Sequence, residues 1–215
     1  MNRQVLLVSR PQGWVSEENF RIVDAPGVAM RRFRALDGSM AADIALRNVH
    51  VGRDALVGEE ANALALIEEV VDFATALVCA EAVGAIACAN AATLEYLKTR
   101  KQFGVPIGSF QALQHRAADM TVALEQARSM MYLAAMMAGE EDAAERGKTM
   151  SAVKAQIGRS GKFIGQQAVQ MHGGIAMTYE YKVGHLFKRL TMIDAAYGDA
   201  DVHIRRLADR GSLFA

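Results

Sequence analysis

The chain has no excess of either charge. Lys plus Arg and Asp plus Glu both number 24 in 215 residues, so the formal net charge is zero. A nucleic-acid binder carries a basic field, and attachment to anionic lipid needs a basic surface. Neither partner is expected here. Proline is scarce at 3 residues and aromatic side chains make up only 7%. So little proline leaves room for long helices. The most apolar region, Val70 to Leu94, is interrupted by Asp72 and Glu81. Its longest charge-free run, Ala82–Leu94, is 13 residues, short of the ~20 that span a bilayer. The N-terminal MNRQVLLVSRPQGW has an apolar core of only four residues, too few for a signal peptide, and reads as a strand.

The two cysteines, Cys79 and Cys88, stand nine residues apart in a helical stretch. At ~100° per residue they point to opposite sides and cannot pair. Two free buried thiols in a reducing, cytoplasmic compartment are expected. Metal-ligand patterns are also missing. No Glu is followed by His at the third position, the five His residues show no paired spacing, and there is no CxxC. No metal site is expected. P-loop, GxGxxG and GxSxG motifs are absent, which leaves a classical dinucleotide fold without support.

What is present is enough apolar material, 52% of residues, for a substantial core in one large domain or one and a half smaller ones. Composition changes near residue 58. Before it, Val5–Val8, Phe20–Val23, Val28–Leu36 and Asp43–Val51 are candidate strands. Pro26-Gly27 marks one turn and Asp37-Gly38-Ser39 a hairpin. Residues 1–57 read as part of a β domain, too small to be a stable layer alone. Residues 58–215 read as a helical bundle. Leu66, Val70, Phe73, Leu77, Ala80, Gly84, Ala87, Ala91 and Leu94 step by threes and fours. Phe110, Leu113, Ala117, Met120, Leu124, Ala127, Met131, Ala134 and Ala138 do the same, and Met150, Val153, Ile157, Ser160, Ile164, Ala168 and Met171 nearly repeat it. Each spacing predicts a seam facing another helix, as in an antiparallel bundle. Breaks are expected at Gly104–Gly108, at Gly139 with the charged cluster Glu140–Lys148, and at Gly173-Gly174. A last helical part, Tyr181 to Arg210, is interrupted near Gly198. The fold class is therefore mainly α, an up-and-down four-helix bundle preceded by a short β segment. Ala82–Leu94 has almost no polar side, which predicts an oligomer that covers it.

Two segments stand apart from this scaffold. One is Arg100-Lys101-Gln102-Phe103-Gly104-Val105-Pro106-Ile107-Gly108-Ser109-Phe110-Gln111-Ala112-Leu113-Gln114. A helix stop, a turn and a helix start account for Gly104 and Pro106. They do not account for an Arg, a Phe and two Gln at one bundle corner. Arg forks onto phosphate, Phe stacks on a base, and a Gln amide bonds ribose or phosphate oxygens. The other is Gln170-Met171-His172-Gly173-Gly174-Ile175-Ala176-Met177. Its glycines serve as a helix cap or admit a diphosphate close to the backbone.

With RKQFG–PI–FQ–LQ followed by Q-x-H-GG, then HGGIAMTYEY–GHLFKRL, and with DAPGV–DGSMAADIALRNVHV upstream, the sequence resembles the acyl-CoA dehydrogenase flavoprotein family. The resemblance covers nearly the whole chain but only the C-terminal part of a family member. It implies FAD at a subunit interface. Residues matching Arg100, Gln102, Phe103 and Gln111 would reach the adenosine diphosphate part of a flavin held mainly by the neighbouring subunit, with Gln170, Gly173 and Gly174 on the other side of the diphosphate. It also implies an acyl-CoA substrate, α-proton removal by a carboxylate, hydride transfer to the flavin, electron-transfer flavoprotein as acceptor, and a homodimer or homotetramer. The sequence departs from the family at the base. Where the catalytic Glu of a Glu-Gly-Thr motif is expected stands Tyr197, in Ala196-Tyr197-Gly198-Asp199-Ala200-Asp201. The alternative position on the first long helix is Ala74, followed by Thr75. A neutral phenol is a poor base near pH 7. Asp199 and Asp201 read as an N-cap and a first-turn acid of the last helix, or as a displaced base. The YGDADVH ending resembles the small subunits of pimeloyl-CoA dehydrogenase-like unequal pairs. A non-catalytic structural subunit of a heterotetramer is therefore the alternative expectation.

Overall fold

The computed structural model describes residues 3–7, 20–24, 27–58 and 63–209. Val8, Pro26 and Arg210, named above, lie outside them. The chain separates into two compact units, Met1–Ala61 and Asn62–Ala215.

The first unit holds two antiparallel pairs. Strand β1 (Arg3–Leu7) pairs with β2 (Phe20–Asp24), and β3 (Val28–Arg34) with β4 (Met40–Leu46). The β3–β4 turn lies where the sequence places it. Gly38 has φ 86, and the Asp37 carboxylate accepts from Ser39 N at 3.0 Å and from Ser39 Oγ at 2.6 Å. That short turn fixes the register at Arg34 opposite Met40. Strand β4 therefore starts at Met40 and ends at Leu46, not at Asp43 and Val51 as the pattern suggests. Phe33, Met40, Ile44 and Leu46 stay exposed.

The second unit is the four-helix bundle. Helix α1 is Ala63–Thr99, α2 Gln111–Met137 and α3 Ala143–His172. The fourth position is shared by α4 (Lys182–Ala195) and α5 (Ala200–Asp209). Helix α3 is the hub and packs against each of the others. Asp142 caps its start, accepting from Ala144 N at 2.8 Å and Glu145 N at 3.3 Å, an arrangement worth about 1 kcal/mol. The predicted seam of α3 faces the core throughout, and that of α2 does so over most of its length, though Phe110 at its start stays exposed. Ala117, Met120, Leu124, Ala127 and Ala134 are buried on α2, as are all seven seam positions on α3. Interior glycines Gly158, Gly161 and Gly165 lie where α4 comes close. A Cβ on them would meet Asp194 Oδ1 at 2.2 Å, Leu190 Cδ2 at 3.3 Å and Phe187 Cδ2 at 2.7 Å. These glycines weaken helix propensity but let two backbones approach.

Helix α1 corrects the sequence reading. Its predicted seam points outward: Leu66, Val70, Phe73 and Leu77 are exposed. The buried stripe is Thr75, Ala76, Cys79, Ala82, Val83, Ile86, Ala89, Asn90, Thr93 and Leu97. Both stripes have helical spacing, so periodicity alone does not choose between them. The chain buries the one made mainly of small residues, which allows closer packing. Cys88 is likewise exposed rather than buried, and only Cys79 is in the core. By length and composition α1 alone among the described helices could cross a bilayer. Its two central charges are instead engaged within the bundle. Arg146 donates to Asp72 at 3.2 Å, and Arg189 forks onto Glu81 at 2.6 and 2.7 Å.

Candidate functional site

Two places in the bundle present residues that the core does not use. The first is the end where α1 stops, α2 starts and α3 stops. After Arg100 the chain makes a miniature hairpin, β5 (Lys101–Gln102) against β6 (Val105–Pro106), where the sequence reading expects only a turn. Its two turn residues, Phe103 and Gly104, have φ 56 and 82. Positive φ at both positions is the mark of a type I′ turn, which favours Asn or Gly. Phe there is strained by about 1 kcal/mol or more. Burial among the described residues does not repay that strain, because Phe103 is 92% exposed; its ring meets the edge of Phe110 at 6.0 Å. The hairpin is tied down by Ile107 N donating to the Arg100 carbonyl at 2.8 Å. Close by, Gly108 sits against the Leu97 carbonyl, which a Cβ would meet at 2.8 Å.

Arg100, Gln102 and Gln111 are all exposed at this end. Gln102 Nε2 donates to the Lys101 carbonyl at 2.7 Å. Gln170 is exposed on the last turn of α3. Gly173 has φ 66 and donates to the Val169 carbonyl, which closes that helix. Gly174 has neither a positive φ nor any neighbour within 4 Å of a Cβ, so its backbone is open to approach. The two segments singled out in the sequence are held at one end. The Tyr96 ring, one turn before Arg100, stacks on His172 at 4.4 Å, and Arg116 on α2 donates to Gln167 on α3 at 3.2 Å. Exposed cationic and amide donors, a projecting aromatic and an open glycine backbone are the right types for a nucleotide diphosphate. The residues fit the ADP portion of a dinucleotide such as FAD.

The second place is the turn between α4 and α5. Tyr197 has φ 59 and Gly198 φ 103; the Tyr197 side chain is 45% exposed. Beneath them lies a polar knot that the sequence reading missed. Lys154, buried on α3, donates from Nζ to the carbonyls of Asp194 at 2.7 Å and Gly198 at 2.8 Å. His203, buried on α5, places Nε2 3.1 Å from the Tyr197 carbonyl. That contact is a hydrogen bond when the neutral ring is protonated on Nε2. Burial pushes the Lys154 pKa down, against the pull of Asp194 and Asp199. Burial, with Lys154 and Arg206 nearby, brings His203 down to about 4. Cys79 is pushed up to about 12 by burial, so its thiol stays protonated. One signal for this knot was legible: a lysine directly beside the apolar positions Met150, Val153 and Ile157.

Asp199 precedes α5, and its Oδ1 accepts from Val202 N at 2.9 Å. That bond, chiefly, holds its carboxyl below the ordinary range. A carboxylate so stabilised is a weaker proton acceptor. Asp201 is exposed in the first turn of α5. Ala74 is half-buried on α1 beside buried Thr75, whose hydroxyl donates to the Val71 carbonyl at 2.7 Å. Neither position offers a base. Among the described residues no group of three His, Cys, Asp or Glu side chains could hold a metal ion.

Comparison with known proteins finds relatives that share the helical bundle. The family described as "Acyl-CoA dehydrogenase, C-terminal domain" matches residues 64–212. Acyl-CoA dehydrogenase IpdE2 of Mycobacterium tuberculosis is 37% identical over 136 residues, covering 62% of this chain and 40% of that protein. A variant of the Tcur3481-Tcur3483 steroid ACAD superposes with a TM-score of 0.74 at 28% identity, over 89% of this chain and 51% of that one. The ChsE4-ChsE5 complex from Mycobacterium tuberculosis, at 23% identity, shares the fold with a TM-score of 0.72 over 88% of this chain and 51% of that one. The chain thus spans between two fifths and half of the length of these relatives.

Proposed function

This chain belongs to the acyl-CoA dehydrogenase family, and from that premise we propose that it supplies the C-terminal helical domain of an FAD-dependent assembly oxidising an acyl-CoA. The observation that carries the reading is the pairing of a strained, 92% exposed Phe103 with the open Gly173–Gly174 backbone at the same bundle end. In this reading Arg100 neutralises diphosphate charge, and Gln102, Gln111 and Gln170 offer amides to diphosphate and ribose oxygens. Phe103 stacks on an aromatic face, and Gly173 and Gly174 admit the diphosphate to the backbone. A bound flavin would supply the hydride acceptor for oxidation of the acyl chain. The outer stripe Leu66, Val70, Phe73 and Leu77 requires cover from another domain or subunit, and an oligomer with electron-transfer flavoprotein as its redox partner fits the family. The two free thiols suit a reducing, cytoplasmic setting.

The test is flavin content. Assembled with the subunit or domain that completes the pocket, the protein should purify yellow, and Arg100→Ala and Gln170→Ala should lose flavin without unfolding. An assembly that stays colourless and does not take up added FAD would end this reading. The chain alone is expected to be inactive, and acyl-CoA turnover by the 215 residues without a partner would overturn that expectation.

A second reading is favoured by Tyr197. Its phenol stands where the resemblance calls for a carboxylate, and its backbone is fixed from below by Lys154 and His203. In that reading the chain is the non-catalytic partner in a heteromer. It completes the flavin site while another subunit holds the base. Native mass spectrometry of the assembly decides: two different subunits support it, and an active homotetramer rejects it.

A further inference from the structure

His172 is the last residue of α3, and its ring is buried between two tyrosines from other parts of the chain. Tyr96 of α1 stacks on one side, with centroids 4.4 Å apart and planes 28° apart. Tyr181, just before α4, packs on it at 5.1 Å and 51°. His172 Nδ1 lies 2.8 Å from the Ala168 carbonyl one turn back, so a neutral ring carrying its proton on Nδ1 is locked to its own helix. The ring also interacts with the Ala92 backbone on α1, so it joins the end of α3 to that helix. The neighbours on either side give the ring its leverage. Gly173 follows it directly, and the Tyr96 carbonyl accepts from Arg100 N at 2.8 Å. One ring thus lies between the two segments proposed to hold the diphosphate.

We propose that His172 is a positioning residue: clasped by Tyr96 and Tyr181, it fixes the Gly173–Gly174 turn relative to Arg100, so that both segments meet a nucleotide diphosphate as one preformed surface. The ligand half of this inference rests on the cofactor reading above; the coupling of the two segments does not. Preorganisation of this kind raises affinity without adding a contact.

The test uses the full chain with ADP as probe, followed by titration calorimetry and by amide NMR. Tyr96→Leu removes one side of the clasp and touches none of the proposed ligand contacts. The Gly173 and Gly174 amides should then shift or broaden while circular dichroism stays helical, and ADP affinity should fall tenfold or more. Tyr96→Phe keeps the stack and should restore the amide positions and bring affinity within twofold of the original. His172→Phe keeps a ring but loses the Ala168 bond, and should also weaken ADP. Unmoved Gly173 and Gly174 amides in Tyr96→Leu would overturn the coupling, as would an unchanged ADP affinity, with the cofactor reading left standing. An unmodified chain that does not bind ADP would remove the ligand half of the inference, while Gly173 and Gly174 amides that still move in Tyr96→Leu would uphold the coupling.

Discussion

The bundle contains two turns of the same local design and opposite support. Phe103-Gly104 and Tyr197-Gly198 are each an aromatic residue followed by glycine, with all four residues at positive φ. The first stands on a two-residue hairpin with its ring almost wholly in solvent. The second rests on a buried lysine and a buried histidine that grip its carbonyls. Strained backbone tends to be kept where geometry serves a purpose. The contrast suggests different purposes. A turn that presents a side chain outward needs little beneath it, whereas a turn whose position must not drift is gripped from inside.

The sharpest way to break this contrast is to remove the grip. Lys154→Met keeps the volume but leaves the Asp194 and Gly198 carbonyls without their donor. It should destabilise the fold by about 3 kcal/mol in urea unfolding. Arg100→Ala, at the ungripped turn, should stay within about 0.5 kcal/mol. Equal losses at both would remove the distinction.

Acid should loosen the gripped turn. The His203 pKa is depressed from 6.5 to about 4, so the folded state favours the neutral ring and the unfolded chain takes up the proton first. This stability is fully present above pH 6.5, declines as pH falls, and is gone below pH 4. The shift corresponds to about 3 kcal/mol. His203→Gln should flatten the fall in unfolding free energy between those limits, and an unchanged pH profile would show that His203 does not drive it.

The floor of the grip gives a smaller effect. Gly158→Ala drives a Cβ into the Asp194 carboxylate, and should cost about 1–3 kcal/mol, seen as a lower Tm. The smallest expected effect lies at the free turn. Phe103→Asn places a residue that tolerates positive φ. It should stabilise the isolated chain by up to about 1 kcal/mol while weakening FAD uptake by the assembly. A loss of stability instead would mean that the Phe103–Phe110 contact matters more than the strain.

These turns also show how much of the molecule could be read in advance. The α2 and α3 seams were legible because each helix has one apolar stripe and one polar face. Helix α1 was not, because it is apolar on both sides and the choice depends on residue size and on what each side meets. The segments around Arg100 and Gly173 stood out because their composition exceeds what a helix end requires. Their shared location did not, since it depends on the Tyr96–His172 stack between residues 76 positions apart. Lys154 was overlooked because a lysine inside an apolar stripe is usually taken to reach solvent along its stem. Here the nearest acceptors are two carbonyls on a different helix end. The run Gly158, Gly161, Gly165 could have announced a close helix contact, but not which helix makes it.

The outward stripe on α1 bears on how such a chain fares once made. A helix that keeps Leu66, Val70, Phe73 and Leu77 in water is what chaperones seize and proteases sort. A cell producing more of this chain than of whatever shields that surface would be expected to discard the surplus, so its abundance should track its companion's rather than its own rate of synthesis.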